Sequence, residues 1–277
     1  MKFVTRNLLA LAVAAAGATF AVSAHAATLK ITVTNNQAAG GLSITPLYTA
    51  FHDGSFDAFD LGGIASPGLE LIAETGAPSS IAAERRAIDP DSQPIVLASP
   101  DGPPPIQPGE SVSGTIDVNA SEELFFTFLS MVLPSNDHFI GNDNPLAYQI
   151  FDANGTFTGN TKISVTGEQI YDAGTEANGL EGAAFIQGVD IADSPTGEGR
   201  IQQGLPLSNE LFGTGVLLAT GDTLNPALID FNSDPGAFNL LTIEISKVAP
   251  VPLPASAPML LGALGFLAWR QRRKTRS

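Results

Sequence analysis

Leu124-Phe125-Phe126-Thr127-Phe128-Leu129-Ser130-Met131-Val132-Leu133, running into Pro134-Ser135-Asn136-Asp137-His138-Phe139-Ile140-Gly141-Asn142-Asp143, is the stretch whose reading decides the fold. Its first half is the most apolar run between the two ends of the chain, and such a run reads as a central β-strand buried on both faces. Its second half, opened by Pro134, reads as the loop at the end of that strand. A second apolar run, residues 163–170, leads in the same way to Tyr171-Asp172-Ala173-Gly174-Thr175-Glu176. If the two strands are neighbours, Asp137, Asp172 and Glu176 meet in space. They then form a hard, all-oxygen cluster of three negative charges, costly unless a cation or strong donors neutralise it. Gly174 permits the sharp turn that brings two of these carboxylates together. Calcium is the ion expected, with Asp143 and backbone carbonyls near Phe139 or Tyr171 completing its shell.

Outward from this centre the chain reads as more strands. Thr28-Leu29-Lys30-Ile31-Thr32-Val33-Thr34 alternates with period two and ends at the turn Asn35-Asn36. Residues 42–51 give a strand broken by Pro46, which places it at an edge or a bulge. Residues 94–98, 111–118, 146–151, 161–170, 216–219 and 240–248 supply the rest, with Asp152-Ala153-Asn154-Gly155 as a hairpin turn. Helical punctuation is brief. Ser66 as N-cap, Pro67 in the first turn and Gly76 past the end bracket residues 69–74. Residues 80–87 form a second helix with Glu84, Arg85 and Arg86 facing solvent. The expected fold class is all-β: an antiparallel β-sandwich with one or two short helical insertions. In the loop His52-Asp53-Gly54-Ser55-Phe56-Asp57, Phe56 and Phe59 are core anchors, and the acidic residues make Asx turns rather than a second metal site.

Leu133-Pro134-Ser135-Asn136-Asp137-His138-Phe139-Ile140-Gly141, followed by Tyr171-Asp172-Ala173-Gly174-Thr175-Glu176, resembles the paired signature of the spondin N-terminal domain family. His52-Asp53-Gly54-Ser55-Phe56-Asp57-Ala58-Phe59-Asp60 is similar to the bacterial branch of the same family. The resemblance runs from about Leu29 to Lys247. It implies a calcium-bearing β-sandwich that acts in adhesion at the cell surface or in the matrix, without catalysis. It also implies that the metal ligands fall on Asp137, Asp172 and Glu176. The last of these is usually Asp in the animal proteins, and the longer Glu176 keeps the charge while shifting its oxygens.

The two ends carry addresses. Residues 1–26 have the form of an export signal: Lys2 and Arg6, an apolar run over 8–22, and Ala24-His25-Ala26 as the small-x-small cleavage pattern. The domain spans residues 27–248. Residues 249–277 hold Val251-Pro252-Leu253-Pro254-Ala255, an apolar run over 259–269, and five basic residues at the end. This order resembles the PEP-CTERM sorting signals of Gram-negative bacteria, which implies an exosortase-type processing enzyme as a partner and transient inner-membrane contact. The basic tail stays cytoplasmic and the domain lies outside. The apolar run is shorter than the ~20 residues of a settled transmembrane helix, which suits a transient anchor. The expected location is secreted or at the cell surface.

Of 13 basic residues, two lie in the leader and five in the tail, so residues 27–248 carry six against all 28 acidic residues, a net charge of −22. Such a surface repels nucleic acid and anionic lipid and favours cations. No cysteine is present, so thiol chemistry, zinc-thiolate sites and disulfides are excluded, and stability must come from the core or from bound metal. His52 and His138 are the only histidines between the two ends, and neither belongs to a nucleophile motif. His138 is expected to pack or hydrogen-bond beside the first loop rather than to ligate metal. The single Trp lies in the tail, which leaves little for the aromatic cleft of a glycan hydrolase. The protein is therefore read as a non-enzyme whose partner is an extracellular polysaccharide or a surface protein. An exopolysaccharide-binding module is the alternative, favoured if Tyr48, Tyr148 or Tyr171 form an exposed platform.

Overall fold

In a computed structural model the described residues are 26–100, 105–193, 195–197, 199–204 and 212–249. Residues 1–25 of the expected export signal and residues 250–277 of the expected sorting signal lie outside them. The chain divides into two compact units at Lys247–Val248, and every described element belongs to the first.

The smaller sheet is built from the strands with the cleanest alternation. β1 (Ala26–Asn35) buries Ala27, Leu29, Ile31 and Val33 and exposes Thr28 and Lys30 between them. It lies between β5 (Ser111–Asn119) and β11 (Asn239–Lys247), and β8 (Thr161–Thr166) closes the far side of β11. The pairing is antiparallel throughout, with Leu29 opposite Lys247 and Val33 opposite Ile243.

The larger sheet is organised around β6 (Phe125–Leu133), which is buried along nearly its whole length. Its neighbours are β3 (Leu47–His52) on one side and β7 (His138–Gly141) on the other. The sheet continues outward through β4 (Ile95–Leu97) beyond β3, and through β9 (Ile170–Asp172) and β10 (Gln202–Gln203) beyond β7. The short β2 (Ser43–Ile44) pairs with the end of β6. Phe126, Phe128 and Val132 face the smaller sheet and join Leu29, Ile31, Ile243 and Ile245 in the inter-sheet core. Leu129, on the opposite face, joins Tyr48, Ala50, Phe139 and Tyr171 in a second core. Each such side chain contributes about 1.5–3 kcal/mol when fully buried, so a strand with apolar residues on both faces is held at the centre of the sheet.

The second core is roofed by two helices, α1 (Pro67–Thr75) and α2 (Ser79–Ile88). In α1, Ser66 Oγ accepts from the Leu69 N–H, Pro67 opens the first turn, and Gly76 at φ +70° ends the helix. These are the expected caps. The helices are a third layer rather than an ornament: Leu69, Ile72 and Ile81 pack on the outer face of the larger sheet. The expectation that Arg85 faces solvent is overturned. It lies four residues after Ile81 on the same helical face and is 1% exposed, its guanidinium over the Phe56 ring and bonded to the Phe51 carbonyl and the Asp89 carboxylate.

Five further expectations are corrected. Residues 134–143 are not one loop, because the chain turns within Pro134–Asp137 and returns at once as β7 against β6. Residues 161–170 are not one strand. β8 belongs to the smaller sheet, and at the 3₁₀ turn Gly167–Gln169 the chain crosses to the larger one as β9. A Cβ on Gly167 would sit 2.4 Å from the Phe231 carbonyl oxygen, so the crossing depends on that glycine. The strand after Pro46 is interior, flanked by β4 and β6. Residues 146–151 and 216–219 make isolated bridges only, such as Phe125 with Gln149 and Ile186 with Leu218.

Candidate metal centre

The centre lies where the β6–β7 turn meets the end of β9. β7 and β9 are antiparallel neighbours, with His138 opposite Asp172 and Phe139 opposite Tyr171. The turn is clamped before any carboxylate is considered. Ser135 Oγ donates to the Val132 carbonyl (2.6 Å) and accepts from the His138 N–H (3.1 Å), and Asn136 Nδ2 donates to the Ala177 carbonyl (2.7 Å). The Ala173 N–H donates to the Asp137 carbonyl. The two segments predicted to converge therefore do so through neighbouring strands.

Asp137 and Asp172 are both fully buried. Asp137 Oδ2 accepts from the Thr175 and Glu176 N–H groups at 3.0 and 3.1 Å. Its Oδ1 is buried with no hydrogen-bond partner among the described residues. Asp172 Oδ1 accepts from the Gly174 N–H (2.7 Å), and Oδ2 accepts from Asn178 Nδ2 and Gln202 Nε2. Gly174 takes φ +70°, and a Cβ there would lie 2.8 Å from Arg200 backbone atoms, so this turn requires glycine. Burial pushes the Asp137 carboxyl up to about 7, and the charges of Asp172 and Glu176 add to the rise against the two N–H donors.

Glu176 sits differently from the two aspartates. Its backbone N–H holds Asp137, and one carboxylate oxygen, Oε2, is buried without a hydrogen-bond partner among the described residues. Its charge acts on Glu74 of α1 as well as on Asp137. The Glu74 carboxyl is raised first by burial and then by the neighbouring acids. The tight group of donors is Asp137, His138 and Asp172, one atom from each lying within 4.8 Å of the others. Asp143 stands at the other end of β7, where its carboxylate accepts from the Leu61 N–H (2.6 Å).

Sequence reasoning missed two contributions. Glu74 comes from a helix that no spacing rule links to the acidic loops. His138, expected to pack or hydrogen-bond beside the first loop, does pack there against Phe231, and it also faces Asp172 across the ladder; the signal available for that was its place directly after Asp137.

The donors present fit a cation. Two buried carboxylates converge and a third, partly buried one stands at their margin; among the described residues two of their buried oxygens carry no hydrogen bond and no Lys or Arg pairs with any of the three. A cation bound there would be held by Asp137 and Asp172 with Glu176 at the margin, and would tie the β6–β7 turn to the β9 loop. The tyrosines form no platform. Tyr48 and Tyr171 are core residues, Tyr148 is half-buried with its hydroxyl accepting from Gln169, and among the described residues the exposed large apolar side chains are all aliphatic. Among the described residues no helix is long and apolar enough to cross a membrane.

The Spondin_N family profile matches residues 38–186, more than half of the chain, and both acidic segments and both helices fall inside that span. No curated protein matches the chain.

Proposed function

Since the chain belongs to the spondin N-terminal domain family, we propose that it is an extracellular, non-catalytic binding domain whose fold is tightened by calcium at Asp137, Asp172 and Glu176. It acts in adhesion within a cell-surface or extracellular matrix. The observation that carries this reading is Asp137: a fully buried carboxylate with one oxygen held by two backbone N–H groups and the other without a hydrogen-bond partner among the described residues, 3.7 Å from His138 Nδ1, beside a second buried carboxylate. Such an arrangement is costly when empty of positive charge and favourable around a divalent ion. The partner is an extracellular polysaccharide or a surface protein. The acidic surface suits neutral or basic partners.

Export by the leader, and release from a transient membrane anchor after cutting near Val251-Pro252-Leu253-Pro254-Ala255, complete the proposal. The deciding experiment is thermal melting of the purified protein with calcium and with chelator, repeated for Asp172→Ala. A calcium-dependent rise of several degrees in the wild type, absent in the variant, is expected. A wild type that melts alike in both conditions would remove the metal from the reading.

A further inference from the structure

We propose that His138 is itself a donor to the bound ion, and that the centre therefore takes first-row transition ions, Zn2+ and more weakly Mn2+, ahead of Ca2+. This inference rests on the reading that a cation binds between Asp137 and Asp172, and specifies which cations and through which atoms. His138 is 1% exposed and stands opposite Asp172 in the β7–β9 register, so the two side chains share the inter-sheet face. One atom each of Asp137, His138 and Asp172 lies within 4.8 Å of the other two. His138 Nδ1 is 3.7 Å from Asp137 Oδ1, the oxygen that carries no hydrogen bond among the described residues. That separation is too long for a direct hydrogen bond. It suits two donors on one ion, since metal–nitrogen and metal–oxygen bonds of about 2.0–2.2 Å span up to about 4 Å between donors.

The ring is also placed rather than loose. Phe231 meets it edge-on at 6.3 Å, and Gly204 leaves it room, because a Cβ at that position would lie 3.1 Å from His138 Cδ2. Glu176 keeps its carboxylate outside this group of three. The donor set so formed is two carboxylates and one imidazole. Calcium takes oxygen donors, six to eight of them, and gains little from a nitrogen. Imidazole suits zinc and its neighbours, and affinity rises from Mn2+ to Zn2+ at such mixed sites.

The test is calorimetric titration of the metal-free protein with Zn2+, Mn2+ and Ca2+, for the wild type and His138→Gln, together with zinc-edge X-ray absorption of the one-to-one zinc complex. Zinc binding at least tenfold tighter than calcium, an imidazole scattering signature in the wild type, and loss of both the preference and the signature in His138→Gln would support the proposal. Calcium binding with no tighter zinc binding, or a zinc spectrum with oxygen donors alone, would overturn it while leaving the cation reading intact. Absence of binding by all three ions would overturn both. Should His138→Gln fail to fold, the wild-type spectrum and affinity order decide alone.

Discussion

A carboxyl group removed from water must be protonated, hydrogen-bonded or bound to a cation, and Asp137 has only half of its shell filled by the chain. In metal-free protein its carboxyl is raised from the ordinary value to about 7 by burial. The folded state therefore holds a proton that the unfolded state releases. Stability from this group is full below about pH 4 and falls as pH rises towards 7. His52 works in the opposite direction. Its Nδ1 accepts from the Gly54 N–H (3.0 Å), so the neutral ring carries its proton on Nε2 and donates to Thr127 Oγ1 (2.9 Å). Burial, helped by Arg85, pushes it down to about 4. Stability from His52 is thus full above about pH 6.5 and is lost as pH falls towards 4. Each contribution is on the order of 3–4 kcal/mol, and in one window they oppose each other. In chelator, Asp137→Asn should gain stability relative to wild type as pH rises from 4 to 7. His52→Asn, whose amide oxygen still accepts from Gly54, should gain it as pH falls through the same range. Chemical denaturation at stepped pH gives both difference curves, and parallel curves for a variant and the wild type would refute the assignment for that residue. Asp137 and Asp172 could be found in the sequence because apolar runs point at them. His52 could not, because its tautomer is fixed by partners at positions 54 and 127 that only the folded sheet brings together.

At the scale of elements, legibility follows from how local the cause is. The α1 caps and the alternation of β1 and β11 are written in neighbouring residues, and the structure has them within a residue or two of the reading. The crossing at Gly167 was not legible, because an apolar run looks the same whether it stays in one sheet or changes sheets. The close approach that makes glycine necessary comes from Phe231, far along the chain. Arg85 is intermediate: its spacing from Ile81 put it on the buried face, and its charge argued otherwise. Its alkyl stem and guanidinium fill the space beneath α2 over Phe56, and truncation would leave both a void and an unpaired Phe51 carbonyl. Arg85→Ala should cost about 2–4 kcal/mol in urea unfolding with an unchanged denaturant slope. The calcium response should survive, because α2 holds none of the proposed ligands. A cost below about 0.5 kcal/mol, the level of an ordinary surface substitution, would mean that α2 is not pinned through Arg85.

For the molecule as a whole, the question is whether a calcium response reports one buried centre or the −22 charge of residues 27–248 condensing counterions over a broad surface. The two differ in how they answer to salt. Surface repulsion acts over the screening length, about 10 Å at 0.1 M and about 3 Å at 1 M monovalent salt. A diffuse effect of calcium should therefore vanish once sodium chloride has already relieved the repulsion. Asp137 and Asp172 are wholly buried, and salt screens contacts at such a centre much less. Sodium chloride alone should then raise the melting temperature by relaxing the acidic surface, and saturating calcium in 1 M sodium chloride should still add most of the increment it gives at low salt. In Asp172→Ala the sodium effect should remain and the calcium increment should disappear. Scanning calorimetry at low and high salt separates the two contributions. A calcium increment that fades in step with added sodium would place the ion on the surface, and the convergence of the β6–β7 turn with the β9 loop would then be held by its hydrogen bonds alone.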